Sequence, residues 1–136
     1  MIELSKAIYS KISGSSFSTA IGGRFFEDEA PEGADYPYAI YKIVSSTPDY
    51  VFAGKHEDYL VQFSMFSTAS GSTEIKTITE YLKTLFDECS LTITGLTLLY
   101  MGWQNTVGPS TEEHTTPAGT QKAWACHSDY RVSVKL

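Results

Sequence analysis

The side chains able to do chemistry are few and scattered. They are Cys89 and Cys126, the histidines His56, His114 and His127, the turn Gly22-Gly23-Arg24, an acidic run (Glu27, Asp28, Glu29, Glu32, Asp35) and the triplet Glu112-Glu113-His114. A zinc site needs Cys or His at close paired spacing, and these five residues offer none. Cys126 and His127 are adjacent, but neighbours on an extended chain point to opposite faces and cannot meet as nucleophile and base. Cys126 falls on the apolar face and reads as a small core residue. A nucleotide loop joins a strand to a Gly-rich turn with a Lys; Gly22-Gly23-Arg24 lacks that spacing. The acidic run lacks the alternating ligands of a calcium loop. Glu112-Glu113-His114 has metal-ligand types without a rigid second shell, so solvated loop charge is expected there. The expectation is a non-enzymatic protein with no catalytic group, cofactor or metal.

Interaction is then the function class left open. Sixteen acidic and 10 basic side chains give a net charge of −6, and no two cations are adjacent. Binding to a phosphate backbone needs several clustered Lys or Arg, so nucleic-acid recognition, sequence-specific or not, is not expected. The acidic residues are concentrated, five of them within nine positions from Glu27 to Asp35. That run and Glu112, Glu113 and His114 are the chosen interaction residues. A composition 42% hydrophobic and 13% aromatic is that of a folded chain. Position 3 is acidic and the N-terminus has no continuous apolar stretch, which does not read as a secretory signal. No stretch reaches the ~18 apolar residues of a membrane span. With no secretory signal, the two cysteines are expected to be reduced.

The elements that must position these residues follow from periodicity. Ile2, Leu4, Ile8 and Ile12, with Ala7 beside them, approximate one helical face, ended by Gly14 and Ser15-Ser16. A turn at Gly22-Gly23 leads into a short extended piece at Phe25-Phe26, then the acidic loop runs to Pro37. Residues 38–45 and 57–67 read as strands of an antiparallel hairpin, the first apolar on both faces and so central. Ser72 is placed to N-cap the clearest helix, whose stripe is Ile75, Ile78, Leu82, Leu85 and Phe86. Residues 91–94 and 96–104 read as two extended pieces. Residues 105–120 hold two Pro, two Gly and five Thr with Val107 the one large aliphatic residue, and read as a long mobile loop. Residues 123–136 alternate as a strand with one solvated face. The fold expected is one α+β domain over 1–136, a two-layer sandwich of mainly antiparallel sheet covered on one face by two helices.

Three segments carry a family resemblance. Gly23-Arg24-Phe25-Phe26, then Ala30-Pro31-Glu32-Gly33-Ala34-Asp35-Tyr36-Pro37-Tyr38, resembles the "G-R-aromatic … A-P … aromatic-P-Y" pattern of the tail-completion (tail terminator, head–tail joining) proteins of long-tailed bacteriophages and prophages. The strand over 39–46 with Thr47-Pro48-Asp49, and the strand over 61–67 with its following helix, fit the same family; the resemblance spans 1–95. It implies a non-catalytic virion protein that forms a ring with itself, a hexamer, between tail-tube protein and head connector or head-closure protein. Such a ring ends the tube and docks the head, in particles assembled in the host bacterial cytoplasm. Two rival readings remain: a tail-tube or head-closure subunit of the same particle, or a small-molecule binding module with an aromatic pocket of Tyr41, Phe63, Trp103 and Trp124.

Overall fold

In the computed structural model, which describes residues 1–51, 54–116 and 119–136, the first helix, α1 (Ile2–Ile12), buries Leu4, Ala7, Ile8 and Ile12. A short second helix, α2 (Ser16–Ala20), follows and was not foreseen. Its N-cap is Ser15, one of the residues read as the end of α1; the Ser15 hydroxyl accepts from the Ser18 amide at 3.1 Å. Phe17 and Ile21 then drop into the core.

The sheet runs β1 (Phe25–Glu27), β2 (Tyr38–Val51), β3 (Gly54–Ser67), β4 (Thr97–Thr116) and β5 (Gly119–Lys135), in the spatial order β1-β2-β3-β5-β4. Strand β1 is parallel to β2, whereas β2–β3, β3–β5 and β4–β5 are antiparallel. The expected hairpin is present, but its strands extend to Val51 and Gly54; residues 52 and 53 of the connection lie outside the described residues. Strand β2 is central only from Ala39 to Tyr41, where β1 pairs with it; beyond that it is an edge.

The third helix, α3 (Thr73–Phe86), buries Ile75, Ile78, Leu82 and Phe86 against the sheet, with Leu85 packed partly buried beside them. Each such side chain contributes roughly 1.5–3 kcal/mol when removed from water. Ser72 holds the N-cap position without a side-chain capping bond. The helix start is anchored instead by Glu74, whose carboxylate accepts from the buried Ser67 hydroxyl at 2.7 Å. Phe63 is the centre of the layer, stacked on Phe86 at 4.9 Å and edge-on to Tyr130 at 5.4 Å. The α+β two-layer arrangement is thus as expected, with all three helices' buried residues in one core cluster on one face of the sheet.

Two segments differ from the sequence reading. Residues 91–94 form no strand; Ile93 makes an isolated bridge to Leu96. Residues 105–116 and 119–120, expected to be loop, are paired as a β-ribbon: β4 continues through Glu112, His114 and Thr116, opposite Ala123, Gln121 and Gly119 of β5. A low apolar content had argued against burial, but a ribbon needs little burial when Thr supplies β-branched side chains and β5 supplies the hydrogen-bond partner. Residues 117 and 118 lie outside the described residues.

Candidate functional site

The sheet face without helices carries a second, smaller apolar cluster. Tyr38, Phe66 and Ala125 are buried there, with Phe26, Ala30, Ala34, Tyr36 and Ile40 packed around them. This cluster exists because β2, β3 and β5 alternate: Ala39, Met65 and Cys126 face the helices, so their neighbours Tyr38, Phe66 and Ala125 face the other way. The acidic segment after β1 folds across it. Arg24 fastens the base of that segment by donating from Nε to the Pro37 carbonyl at 3.0 Å and from Nη2 to the Tyr36 carbonyl at 3.2 Å. The Asp28 amide closes the other side on the Tyr41 carbonyl at 2.9 Å. The Arg24 guanidinium is thus committed to backbone carbonyls, and Gly22-Gly23-Arg24 forms the turn after α2 into β1.

The two segments chosen separately from the sequence meet on this face. Tyr36 Oη lies 2.6 Å from His114 Nδ1, and the His114 ring sits 5.2 Å from Phe66. His114 Nε2 is 3.2 Å from one Glu112 oxygen, and His127 Nε2 is 3.6 Å from the other. His127 Nδ1 in turn contacts Ser64 Oγ at 2.8 Å. A cleft of about 340 Å³ opens between the segments, lined by Pro31, Glu32, Tyr36, Tyr38, His114 and Thr115 among others. Glu27, Asp28, Glu29, Glu32, Asp35, Glu112 and Glu113 are all exposed, and His114 is half-buried. The face is therefore aromatic with Glu32 and Glu112 as acidic groups at its rim, whereas Glu27 lies beside α1 and Tyr41 on the helix-covered side and Glu113, by alternation along β4, points away from Glu112. Burial, then the neighbouring Tyr36 and Glu112, push the Tyr38 hydroxyl up to about 12.

Sequence reasoning missed His127, Tyr36, Ser64 and Phe66 as members of this group. The signal was available in alternation: on a strand, Glu112 and His114 share a face, and an adjacent strand can bring His127 to it. Seeing it required reading 105–116 as strand.

The other sequence-level candidates are placed as follows. Cys89 and Cys126 are free thiols, both pushed up by burial, and Cys126 belongs to the core. Tyr41 and Phe63 fill the core, while Trp103 is 41% exposed on β4 with Lys83 over its ring at 4.3 Å. Among the described residues the four aromatics of the expected pocket, Tyr41, Phe63, Trp103 and Trp124, do not line one cleft together: Phe63 is stacked on Phe86 of α3, Tyr41 borders a cleft beside α1, and Trp103 lies exposed on β4. Among the described residues no cluster of three or more His, Cys, Asp or Glu is arranged to hold a metal, and no helix is long and apolar enough to cross a membrane.

Comparison with known proteins bears on this fold. No curated protein sequence matches the chain significantly. A solved structure described as the virion of a native gene transfer agent particle contains a chain of the same fold: TM-score 0.73, 13% identity, covering 96% of this chain and 93% of that one. The family model for tail completion protein gp17 matches residues 6–119, extending past the segments that suggested it and through most of β4. The chain belongs to the tail completion protein gp17 family, structural proteins of phage tails.

Proposed function

We propose that this protein, acting as one α+β domain, closes into a ring, a hexamer, at the junction of head and tail. There it ends the tail tube and presents the surface on which the head connector or head-closure protein docks, without catalysing a reaction. The observation that carries this reading is a sheet with two unlike edges. The outer edge of β4 exposes Leu99 and Val107, while its backbone at Met101 and Trp103 is already bonded to the Glu88 amide and the Asp87 carboxylate; the β2 edge beyond β1 exposes Val44 and Tyr50. An edge offers unpaired backbone groups to a neighbour. Joining one copy's β4 edge to the next copy's β2 edge is a heterologous contact, and such a contact closes as a ring when its rotation divides a full turn.

The same edges are interrupted in ways that oppose indefinite strand addition. Strand β4 has irregular register at Leu98/Tyr100, Trp103/Asn105 and Val107/Ser110, and β2 has one at Ile43/Ser45 followed by Pro48. Bulges and proline are the usual blunting devices of edge strands. The acidic rim suits a passage that DNA crosses without adhering, since its carboxylates repel phosphates. Membership of the virion, assembled in the host bacterial cytoplasm, follows from this role.

Native mass over a concentration series, alone and then with assembled tail tubes, tests the proposal. A closed ring of one size, or a monomer that becomes a ring on tube ends, is the expected result. Open-ended polymers would instead identify a tube subunit, and indifference to tubes would remove the role altogether. Reversing the five charges of the acidic run to Lys is expected to impair joining of heads to tails; unchanged joining and DNA passage would discard the assignment of that surface.

A further inference from the structure

Past the pair Ser67↔Trp124 strand β3 ends, yet β4 and β5 continue to pair from Glu112↔Ala123 to Thr116↔Gly119. That stretch is a two-stranded ribbon, which is marginal in water without further packing. The loop over residues 28–37 is marginal for its own reason: its apolar contact with the sheet is made mainly by Ala30, Ala34 and Tyr36. Its two ends are fixed by Arg24 and by the Asp28 amide, but the span between them has as internal bonds only short-range ones such as Ala34 N–H to the Pro31 carbonyl among the described residues. Each of these weak segments touches the other through the same group of side chains.

We propose that Tyr36, His114, Glu112, His127 and Ser64 form a latch that fastens the 28–37 loop and the distal β4–β5 ribbon to each other across the helix-free face of the sheet, so that the two segments open and close as one unit. The chemistry of the chain is directional. A carboxylate only accepts, so His114 presents Nε2–H to Glu112 at 3.2 Å. A neutral imidazole protonated there accepts at Nδ1, where the Tyr36 hydroxyl donates at 2.6 Å. The second arm mirrors the first: the Ser64 hydroxyl donates to His127 Nδ1 at 2.8 Å, and His127 Nε2–H faces the other Glu112 oxygen across 3.6 Å, an electrostatic contact rather than a hydrogen bond. Both arms converge on one carboxylate. Removing it leaves the His114 N–H without its acceptor and the His127 N–H without its neighbouring carboxylate, whereas removing the Tyr36 hydroxyl breaks one arm and leaves the other intact. The latch goes beyond the ring proposal and does not depend on it, since it is a property of the isolated chain.

Hydrogen exchange of the full-length protein tests the latch. In Glu112→Ala, exchange across residues 29–36 and 112–115 is expected to rise together by about tenfold, the factor that loss of one hydrogen bond to a charged group sets, while exchange in β3 from Val61 to Met65 stays as in the native chain. Tyr36→Phe keeps the ring and its packing and is expected to give a smaller rise in the same two segments. Glu112→Gln is expected to restore most of the protection, because an amide can accept from one imidazole and donate to the other once that ring changes tautomer. Native exchange in both segments of Glu112→Ala and Tyr36→Phe would overturn the proposal. So would loosening of one segment without the other, or an equal rise in β3.

Discussion

Gly108 shows how a single residue constrains the ribbon. Its φ is +101°, and a Cβ there would stand 2.7 Å from the Ala125 carbonyl oxygen, a backbone atom with nowhere to go. Gly108→Ala therefore has to shift β4 against β5, at a cost of about 1–3 kcal/mol, and is expected to lower the midpoint of denaturant unfolding. An unchanged midpoint would mean that the close approach is relieved for free. Asp58 constrains the sheet by charge. Its carboxylate accepts from the Ser133 hydroxyl and from Arg131 Nη2, the latter at 2.9 Å. The Ser133 hydrogen bond first, and then Arg131 acting against partial burial, hold Asp58 below its ordinary 3.8. A depressed carboxylate stabilises the fold above its ordinary range and loses that contribution as pH falls through the folded value. Unfolding free energy followed from pH 7 downward is expected to fall less steeply in Asp58→Ala than in the native protein; parallel curves would dismiss the carboxylate as a contributor. Neither residue stood out in the sequence. Gly108 sat in a segment read as loop, where any glycine looks ordinary, and Asp58 shows its role only once β3 and β5 are in register.

At the scale of elements, the two helix starts separate what patterning reveals from what it does not. Ser72 precedes a clean amphipathic stripe and occupies the N-cap position, yet its side chain makes no capping bond. Ser15 precedes five helical residues with no periodicity worth reading, yet its hydroxyl caps the Ser18 amide at 3.1 Å and also donates to the Ile12 carbonyl. Ser15→Ala is accordingly expected to destabilise the protein by about 1 kcal/mol and Ser72→Ala by less than about 0.5 kcal/mol. Thermal or denaturant melts of the two variants decide it, and a reversed order would show that the hydroxyls act through something other than the helix ends. The stripe of α3, the first helix and the β2–β3 hairpin were legible because burial imposes a period on sequence. The ribbon over 105–116 was not, because solvent reaches most of it and pairing rather than burial defines it; for the same reason the meeting of Tyr36 and His127 with Glu112 and His114 stayed hidden.

For the molecule as a whole, the unusual number of tyrosines makes high pH an informative stress. Tyr38, Tyr41 and Tyr59 are each pushed up from 10.0 to about 12, in every case chiefly by burial, and Tyr130 is pushed up further for the same reason. Carboxylates add to burial: Glu112 near Tyr38, Glu27 and Asp28 near Tyr41, and Glu57 accepting the Tyr59 hydroxyl at 2.5 Å. These phenols sit on β2, β3 and β5, so they report on the sheet that joins both faces. A group whose folded value lies above its unfolded one contributes stability that is complete below the unfolded value and lost as pH rises through the folded value. Stability is therefore expected to hold up to about pH 10 and to fall steeply over the next two units or so, with ionisation of the buried tyrosines and loss of secondary structure occurring in one transition. Phenolate absorbance and circular dichroism recorded on the same alkaline titration test this. Complete tyrosine ionisation while the dichroism remains native would mean that the core admits phenolates, and the burial described for Tyr38, Tyr41, Tyr59 and Tyr130 would have to be abandoned. Coincident transitions would tie the stability of both sheet faces to the same buried hydroxyls, as expected of a protein whose two apolar clusters share one sheet.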